Sequence, residues 1–407
     1  MNCGLLGRTL SHSYSPRIHS MLGDYSYSLW EHEPENLADL LKNRDWDGLN
    51  VTVPYKKDVI PYLDELTPIA AKLGAVNTIV RRNGKLIGHN TDYFGFSAMV
   101  KASGLEVSGK KALVLGSGGA SNTAVAVLKE MGANVIVVSR TGINNYGNLQ
   151  LHQDASLLVN TTPVGMYPHT GTAPVDLDSL PNLEGVLDVI YNPARTKLLQ
   201  DAESRGLVAM NGLLMLVAQA KEAAEWFTNT SISDHVISEI HRTLRRQMEN
   251  IILVGMPGCG KSTIGKLLAA KLGKKFLDAD TVTSEIAGMS IPEIFSKFGE
   301  DVFRVQETSA LRYLGMQSGK VIATGGGCVT QSRNYPLLHQ NGTIFWIQRN
   351  LDALPTDGRP LSQSVSLAEM YKNRKPLYES FADYEINNDG NLEDTIRTIT
   401  TIWEESI

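Results

Sequence analysis

Two stretches of this 407-residue chain place glycines where a backbone would have to come close to phosphate. GMPGCGKS at 255–262 fits GxxxxGK[ST] in full, after an apolar strand pattern and before a helical one. In that setting backbone amides cradle phosphates, Lys261 reaches the β and γ oxygens and the Ser262 hydroxyl ligates Mg2+. A packing purpose for a Gly-Lys-Ser loop is hard to find, although the motif alone leaves a binding-only or GTPase role open. The other stretch, GSGGA at 116–120, follows the strand-like KALVL and is a weak signal by itself, because glycine turns also serve packing. The next strand pattern, NVIVVSRT, sharpens it. At the end of that strand a dinucleotide fold faces the adenosine ribose, with an acid for the 2′-hydroxyl of NAD or an arginine for the 2′-phosphate of NADP. Ser139, Arg140 and Thr141 stand there without an acid. Arg140 could be an ordinary surface arginine, but its place favours NADP.

Polar residues gather around both loops. Before the first, HSYSP at 12–16 carries Ser13 and Ser15, GLNVTVPYK at 48–56 carries Thr52 and Lys56, GAVNT contains Asn77, and GHNTDYFG contains Asp92. Singly, each has a plain structural reading: serines cap helices, an asparagine bonds the backbone, a lysine is solvated. After the second loop, FLDADT carries Asp278 and Asp280, GEDVFRVQE carries Arg304 and Glu307, and ATGGGCV carries Gly325 to Gly327. DGRPL with Arg359 and NRKPLY with Arg374 follow. A solvated charge pattern explains scattered arginines, but not this ordered set around a phosphate loop.

In this order the first set resembles the shikimate dehydrogenase family. The resemblance runs on through VNTTPVGM at 159–166, DVIYNP at 188–193 and NGLLMLVAQA at 211–220, and so covers 1–247. It implies that Ser13 and Ser15 hold a ring carboxylate and that Thr52, Asn77 and Gln219 bind ring hydroxyls, with Tyr191 nearby. Hydride would move from NADPH to the carbonyl of 3-dehydroshikimate, and Lys56 would give the developing alkoxide its proton and take it back in the reverse direction. Asp92 would orient Lys56 and tune its acidity. NADP(H) would lie on Gly116, Ser117, Gly118, Gly119 and Ala120, with Ser139, Arg140 and Thr141 at its ribose and Val189 and Gly212 beside it. Asn144 stands where the family often has a second arginine, which leaves NADP preference on Arg140. The second set resembles shikimate kinase over 250–407. There Gly258, Cys259, Gly260, Lys261, Ser262 and Thr263 would hold ATP, and Ser262 and Asp278 would hold Mg2+. Asp280 would bind the reacting hydroxyl as base or orienter, Arg304 and Arg374 would clamp the carboxylate, and Gly326 would bring backbone close to the ring. Arg359 would swing in from a short lid to meet the transferring phosphoryl group. The family's extra arginine upstream of it, which packs on adenine, is absent. Cys259 reads as a small filler in the loop.

Elements must carry these residues to their places. Short apolar runs alternate with helical patterns, the mark of α/β architecture with largely parallel sheets. A chain that begins a strand–glycine loop–helix unit twice is expected to hold two nucleotide domains. The first is a two-lobed dehydrogenase at 1–249, with a substrate lobe (1–100 plus a helix at 233–247) and a Rossmann-like NADP lobe (101–230). The other, at 250–407, is a P-loop domain of the nucleoside-monophosphate-kinase type. A net charge of -5 argues against a broad nucleic-acid surface. Cys3, Cys259 and Cys328 are too few and too scattered for a disulfide framework or a four-cysteine zinc site. The start MNCGLLGRTLSHS lacks the pattern of a signal peptide, and 213–218, the most apolar stretch, is too short to cross a membrane, so a cytoplasmic enzyme is expected. The partners expected are small molecules, 3-dehydroshikimate and shikimate, and monomer or homodimer stays open. A quinate-using paralogue and a regulator that binds without turnover are the competing readings. The second conflicts with the joint presence of Lys56, Asp92, Lys261, Asp280 and Arg304.

Overall fold

The alternating pattern becomes three sheets in a computed structural model that describes residues 1–10, 13–42, 45–354 and 366–407. The chain divides into two compact units. One comprises Met1–Gly165, Thr172–Tyr191 and Leu198–His241; the other comprises Met166–Gly171, Asn192–Lys197 and Arg242–Ile407.

The first unit opens with β1 (Asn2–Gly7), α1 (Ser15–Leu22), β2 (Ser26–Glu31), α2 (Leu37–Lys42), β3 (Gly48–Val51), β4 (Glu65–Leu66), α3 (Pro68–Leu73), β5 (Thr78–Arg82), β6 (Lys85–His89) and α4 (Asp92–Ala102). Its strands form a sheet of order β2-β1-β3-β5-β6-β4. The pairing is largely parallel, as expected, with two exceptions in this sheet: β3–β5 and β5–β6 are antiparallel. For β5–β6 the reason is local. Asn83 and Gly84 both take left-handed backbone, φ 53° and 80°, the pair of values that closes a two-residue hairpin matched to strand twist. Leu6, Leu49, Val51 and Ile79 bury one face of this sheet with Trp46 and Tyr55.

The second lobe runs β7 (Lys111–Leu115), α5 (Gly119–Glu130), β8 (Asn134–Val138), β9 (Leu157–Asn160), β10 (Gly185–Asp188), α6 (Lys197–Ser204), β11 (Val208–Met210) and α7 (Leu213–Thr228). Its sheet, β11-β10-β9-β7-β8, is wholly parallel. The central strands are near-continuous apolar runs, as a sheet covered on both faces requires. Helix α7 serves both lobes. Leu214 and Met215 pack on the core around Val114 and Val159, while Ala223 and Phe227 pack with Cys3 and Val80 of the first sheet. It also lies against α4 at very short range, because Gly95 has no side chain: a Cβ there would stand 2.6 Å from the Met215 carbonyl oxygen. Helix α8 (His235–Met248) follows, two residues later than the sequence suggested, with the Ser233 hydroxyl accepting from the His235 amide.

The second unit contains β12 (Asn250–Val254), α9 (Lys261–Leu272), β13 (Lys275–Asp278), α10 (Ala279–Ala287), α11 (Ile291–Gly315), β14 (Lys320–Ala323), α12 (Asn334–His339), β15 (Gly342–Gln348), α13 (Leu367–Phe381), β16 (Tyr384–Asn387) and α14 (Leu392–Glu405). The sheet order is β13-β14-β12-β15-β16, again all parallel. Helix α11 breaks its regular path at Gly299, φ 80°. Among the described residues no helix is long and apolar enough to cross a membrane.

Candidate active sites

In the first unit Lys56, Asn77, Asp92 and Gln219 come together where β3, β5, β6 and α4 end or begin. Asp92 is the first residue of α4, its amide tied to the Asn90 side chain, and its carboxylate receives the Lys56 ammonium at 2.5 Å. Both side chains keep some exposure, 26% for Lys56 and 15% for Asp92, so the pair faces an accessible space. Thr52 sits one residue beyond β3, its amide donating to Leu6. Asn77 is buried and heavily used: its Oδ1 accepts from the Thr91 amide at 2.7 Å and from the Thr78 hydroxyl at 3.1 Å, and its amide donates to the Thr91 hydroxyl. One amide hydrogen of Asn77 remains for a ligand. Gln219 on α7 joins through the Thr91 hydroxyl at 3.3 Å. Ser13 and Ser15 flank the start of α1, and the ring of Tyr14 between them meets that of Tyr191 edge-on with centroids 6.0 Å apart. Burial lifts the Tyr191 hydroxyl above its usual range.

Several of these links escaped the sequence reading. Thr91, Thr78, Asn50 and Tyr27 carry no motif role there, yet Tyr27 donates to Asn50 at 2.7 Å and Asn50 donates to Thr78 at 3.1 Å. GHNTDYFG and GLNVTVPYK contain Thr91 and Asn50, so the signal was present as polar residues inside strand-edge runs.

The dinucleotide elements lie at the carboxyl end of the parallel sheet. Gly116 leaves β7 with φ 109°, and Gly118 precedes α5, which opens with Gly119 and Ala120 after Ser117; the first amides of a helix have no partner within it and suit an anion. Ser139, Arg140 and Thr141 follow β8, with Arg140 and Thr141 exposed. Asn144 turns its side chain to His152 at 3.0 Å and its carbonyl to the Ser139 amide, so it closes the loop instead of extending a cation. Gly212 packs directly on the Val189 carbonyl, where any side chain would collide.

In the second unit the P-loop runs from β12 into α9 beside a cavity of about 550 Å3. Lys261 donates to the Gly255 and Met256 carbonyls at 2.8 and 3.0 Å. Cys259 is fully buried among core residues, as a filler would be. Gly258, Gly260, Ser262 and Thr263 line the cavity with Asp278, Asp280, Arg304, Gly326 and Arg374, so this set is brought together. Ser262 donates to Asp278 at 2.8 Å, and Asp278 also caps α10 by accepting from the Asp280 amide. Magnesium on a nucleotide needs only one or two such oxygen ligands beside phosphates; the hydroxyl–carboxylate pair fits it, and a cluster of three or more His, Cys, Asp or Glu, which the described residues lack, is not required.

Burial first, and the charge of Asp278 second, raise the Asp280 carboxyl above its usual range. Arg304 is held by Glu307 at 2.7 Å and by Glu300 at 2.8 Å. Glu307, quoted in the sequence without a role, is 1% exposed and is raised by that burial. Its Oε1 and Asp280 Oδ1 would lie 2.6 and 2.9 Å from a Cβ on Gly325, so the bare glycine backbone lets both carboxylates close in. Arg374 and Tyr378 both donate to the Gly326 carbonyl, at 3.2 and 2.5 Å, which pins the glycine run. Arg349, missed in the sequence, also lines the cavity. Arg359 lies outside the described residues, as does His12.

The sequence model of the shikimate dehydrogenase substrate binding domain matches residues 5–79, and that of shikimate kinase matches residues 257–403. "Shikimate dehydrogenase (NADP(+))" of Clostridium beijerinckii is 35% identical over 266 residues, which span 60% of this chain and 98% of that protein. Shikimate dehydrogenase 1 from Peptoclostridium difficile is similar in structure at a TM-score of 0.56 and 37% identity, covering 60% of this chain and 98% of that one. Shikimate 5-dehydrogenase from Thermus thermophilus, solved with NADP(H) and shikimate, is 32% identical at a TM-score of 0.55, covering 60% and 99%. The chain therefore belongs to the shikimate dehydrogenase family and carries, after that part, a domain of the shikimate kinase family.

Proposed function

We propose that the chain performs two consecutive reactions, reduction of 3-dehydroshikimate to shikimate with NADPH and phosphorylation of shikimate at the hydroxyl so formed. The observation that carries this reading is that each site joins a proton-handling group to polar groups suited to one small ring acid: Lys56–Asp92 beside Asn77 in the first, Asp280 beside Arg304 in the second. NADPH supplies the hydride and ATP the phosphoryl group.

In the first site Lys56 gives its proton to the ring oxygen as negative charge develops there, while Asp92 holds the ammonium in line. Thr52, Asn77 and Gln219 take the ring hydroxyls, Ser13 and Ser15 the carboxylate, and Tyr191 closes the wall. Arg140 meets the 2′-phosphate. In the second site Arg304 and Arg374 hold the carboxylate, Asp280 accepts the hydrogen of the reacting hydroxyl, and Lys261 attends the phosphates. Ser262 and Asp278 would hold magnesium, and Arg359 is assigned to the transferring group. We place the domain boundary at 249/250, where β12 begins, and the enzyme in the cytoplasm, to which its free, buried cysteines are suited.

A coupled assay tests the whole reading. The purified chain with 3-dehydroshikimate, NADPH, ATP and Mg2+ is expected to oxidise NADPH and to form shikimate 3-phosphate. NADPH oxidation without a phosphate ester would reject the kinase half, and a folded chain inactive in both would return the regulator reading.

A further inference from the structure

The cavity beside the P-loop is lined by four cationic side chains, Lys261, Arg304, Arg349 and Arg374, against three acidic ones, Asp278, Asp280 and Glu307. Three of the cations are already engaged within the protein: Lys261 on two loop carbonyls, Arg304 on two glutamates, Arg374 on the Gly326 carbonyl. Arg349 differs, since among the described residues its guanidinium has no hydrogen-bond or ion-pair partner.

Its backbone, by contrast, is well fixed. Arg349 is the first residue after β15, the strand that pairs with β12, and β12 runs into the phosphate loop. Gly255 lies so close to β15 that any side chain on it would strike the Ile347 carbonyl. On one side of Arg349, the Gln348 carbonyl accepts from the Asn388 amide at 2.8 Å, and the Asn388 side chain donates to the Cys259 carbonyl in the loop at 2.8 Å. On the other side, the Asn350 amide donates to Asp389 at 2.5 Å. The scaffold thus aims an exposed, unpaired guanidinium at the rim of a nucleotide loop from the carboxyl end of the adjacent strand, where open α/β sheets bind ligands.

Charge decides what such a group is for. Without Arg349 the lining balances at three cations and three acids; with it, one positive charge is left over. We propose that Arg349 is a nucleotide-binding residue whose guanidinium meets the polyphosphate of the nucleoside triphosphate. This rests on the reading of the cavity as a kinase site. An arginine with no internal partner keeps its five donors for phosphate oxygens and breaks no protein ion pair when the nucleotide arrives. Its contribution falls on nucleotide affinity rather than on the transferring step, which is served by Lys261 and Asp280.

Full-length Arg349→Ala and Arg349→Lys, compared with the wild type, test this in two ways: steady-state kinetics with ATP and shikimate, and calorimetric titration with MgADP. Thermal unfolding reports folding, and Arg349→Gln replaces the alanine variant if the latter is unstable. The expected result for alanine is a KM for ATP and a Kd for MgADP raised about tenfold, as for loss of one charged hydrogen-bonding partner. Lysine should recover part of that, and kcat and the KM for shikimate should change less than about twofold. Nucleotide KM and Kd within about twofold of wild type would overturn the proposal and leave Arg349 a solvated surface group. A fall in kcat at unchanged KM would overturn it too. A wild-type chain that binds MgADP but transfers no phosphoryl group would sink the kinase reading alone, because the titration still measures Arg349; one that binds no nucleotide sinks both.

Discussion

Asp280 illustrates how a single group can serve chemistry at the expense of the fold. Its carboxyl is raised, by burial first and by Asp278 second. A carboxyl with a raised folded pKa favours the fold fully below its unfolded value, and that contribution is lost as pH rises through the folded value. Once ionised at high pH, Asp280 is therefore a cost to the fold. Asp280→Asn is expected to abolish phosphorylation while raising the melting temperature of the kinase unit slightly at pH 8, by an amount that solvent screening keeps small because Asp280 is exposed at the cavity. The gain should shrink at pH 5, where the wild-type carboxyl is closer to protonation. A melting shift that is absent, or equal at both pH values, would contradict the assigned environment.

At the scale of elements, the first site depends on how closely α4 and α7 approach, since α4 begins with Asp92 and α7 carries Gln219. Gly95 is the contact point. A methyl there would gain up to about 1 kcal/mol of helix propensity, but the atom it meets 2.6 Å away is a backbone carbonyl that cannot swing aside. Overpacking of that kind costs about 1–3 kcal/mol. Gly95→Ala should lower the urea midpoint of the dehydrogenase unit and raise the KM for its ring substrate, because Gln219 moves with the helix. An unchanged KM would show that Gln219 is not placed by this contact.

The same scale explains what could be seen in advance. The strand–glycine loop–helix units were legible because all their determinants lie within about thirty residues. So was the Lys56–Asp92 candidate pair, though only through motif order. The β5–β6 hairpin was written in RRNGK, whereas the antiparallel pairing of β3 with β5 has no local signal. Thr91, Asn50 and Arg349 were not legible as site residues, for a different reason. Their importance is fixed by which strands become neighbours: β3 beside β5, β15 beside β12. Those pairings join residues 28 and more positions apart, and no local pattern states them.

For the molecule as a whole, two reactions on one chain can be separated by mutation. Lys56→Ala is expected to reduce NADPH oxidation by about 10^2 to 10^4-fold while leaving phosphorylation of added shikimate intact; Lys261→Ala should do the reverse. An equimolar mixture of the two variants should then convert 3-dehydroshikimate to shikimate 3-phosphate, after a lag while free shikimate accumulates. If each variant keeps its own activity but the mixture forms no product, the sites are not independent and the intermediate does not leave the chain.

The grip on Arg304 has one further consequence. Its inner edge rests on buried Glu307, and its outer edge on half-exposed Glu300, which the break at Gly299 delivers. Glu300 is a resident occupant of the same chemical kind as the acid group of the proposed substrate. Docking of that acid on the outer edge is then an exchange of one carboxylate for another, with little net gain in ion pairing. Preference must come from the ring hydroxyls, which Glu300 does not mimic. The many small acids of a cell, able to offer only a carboxylate, meet a seat already taken.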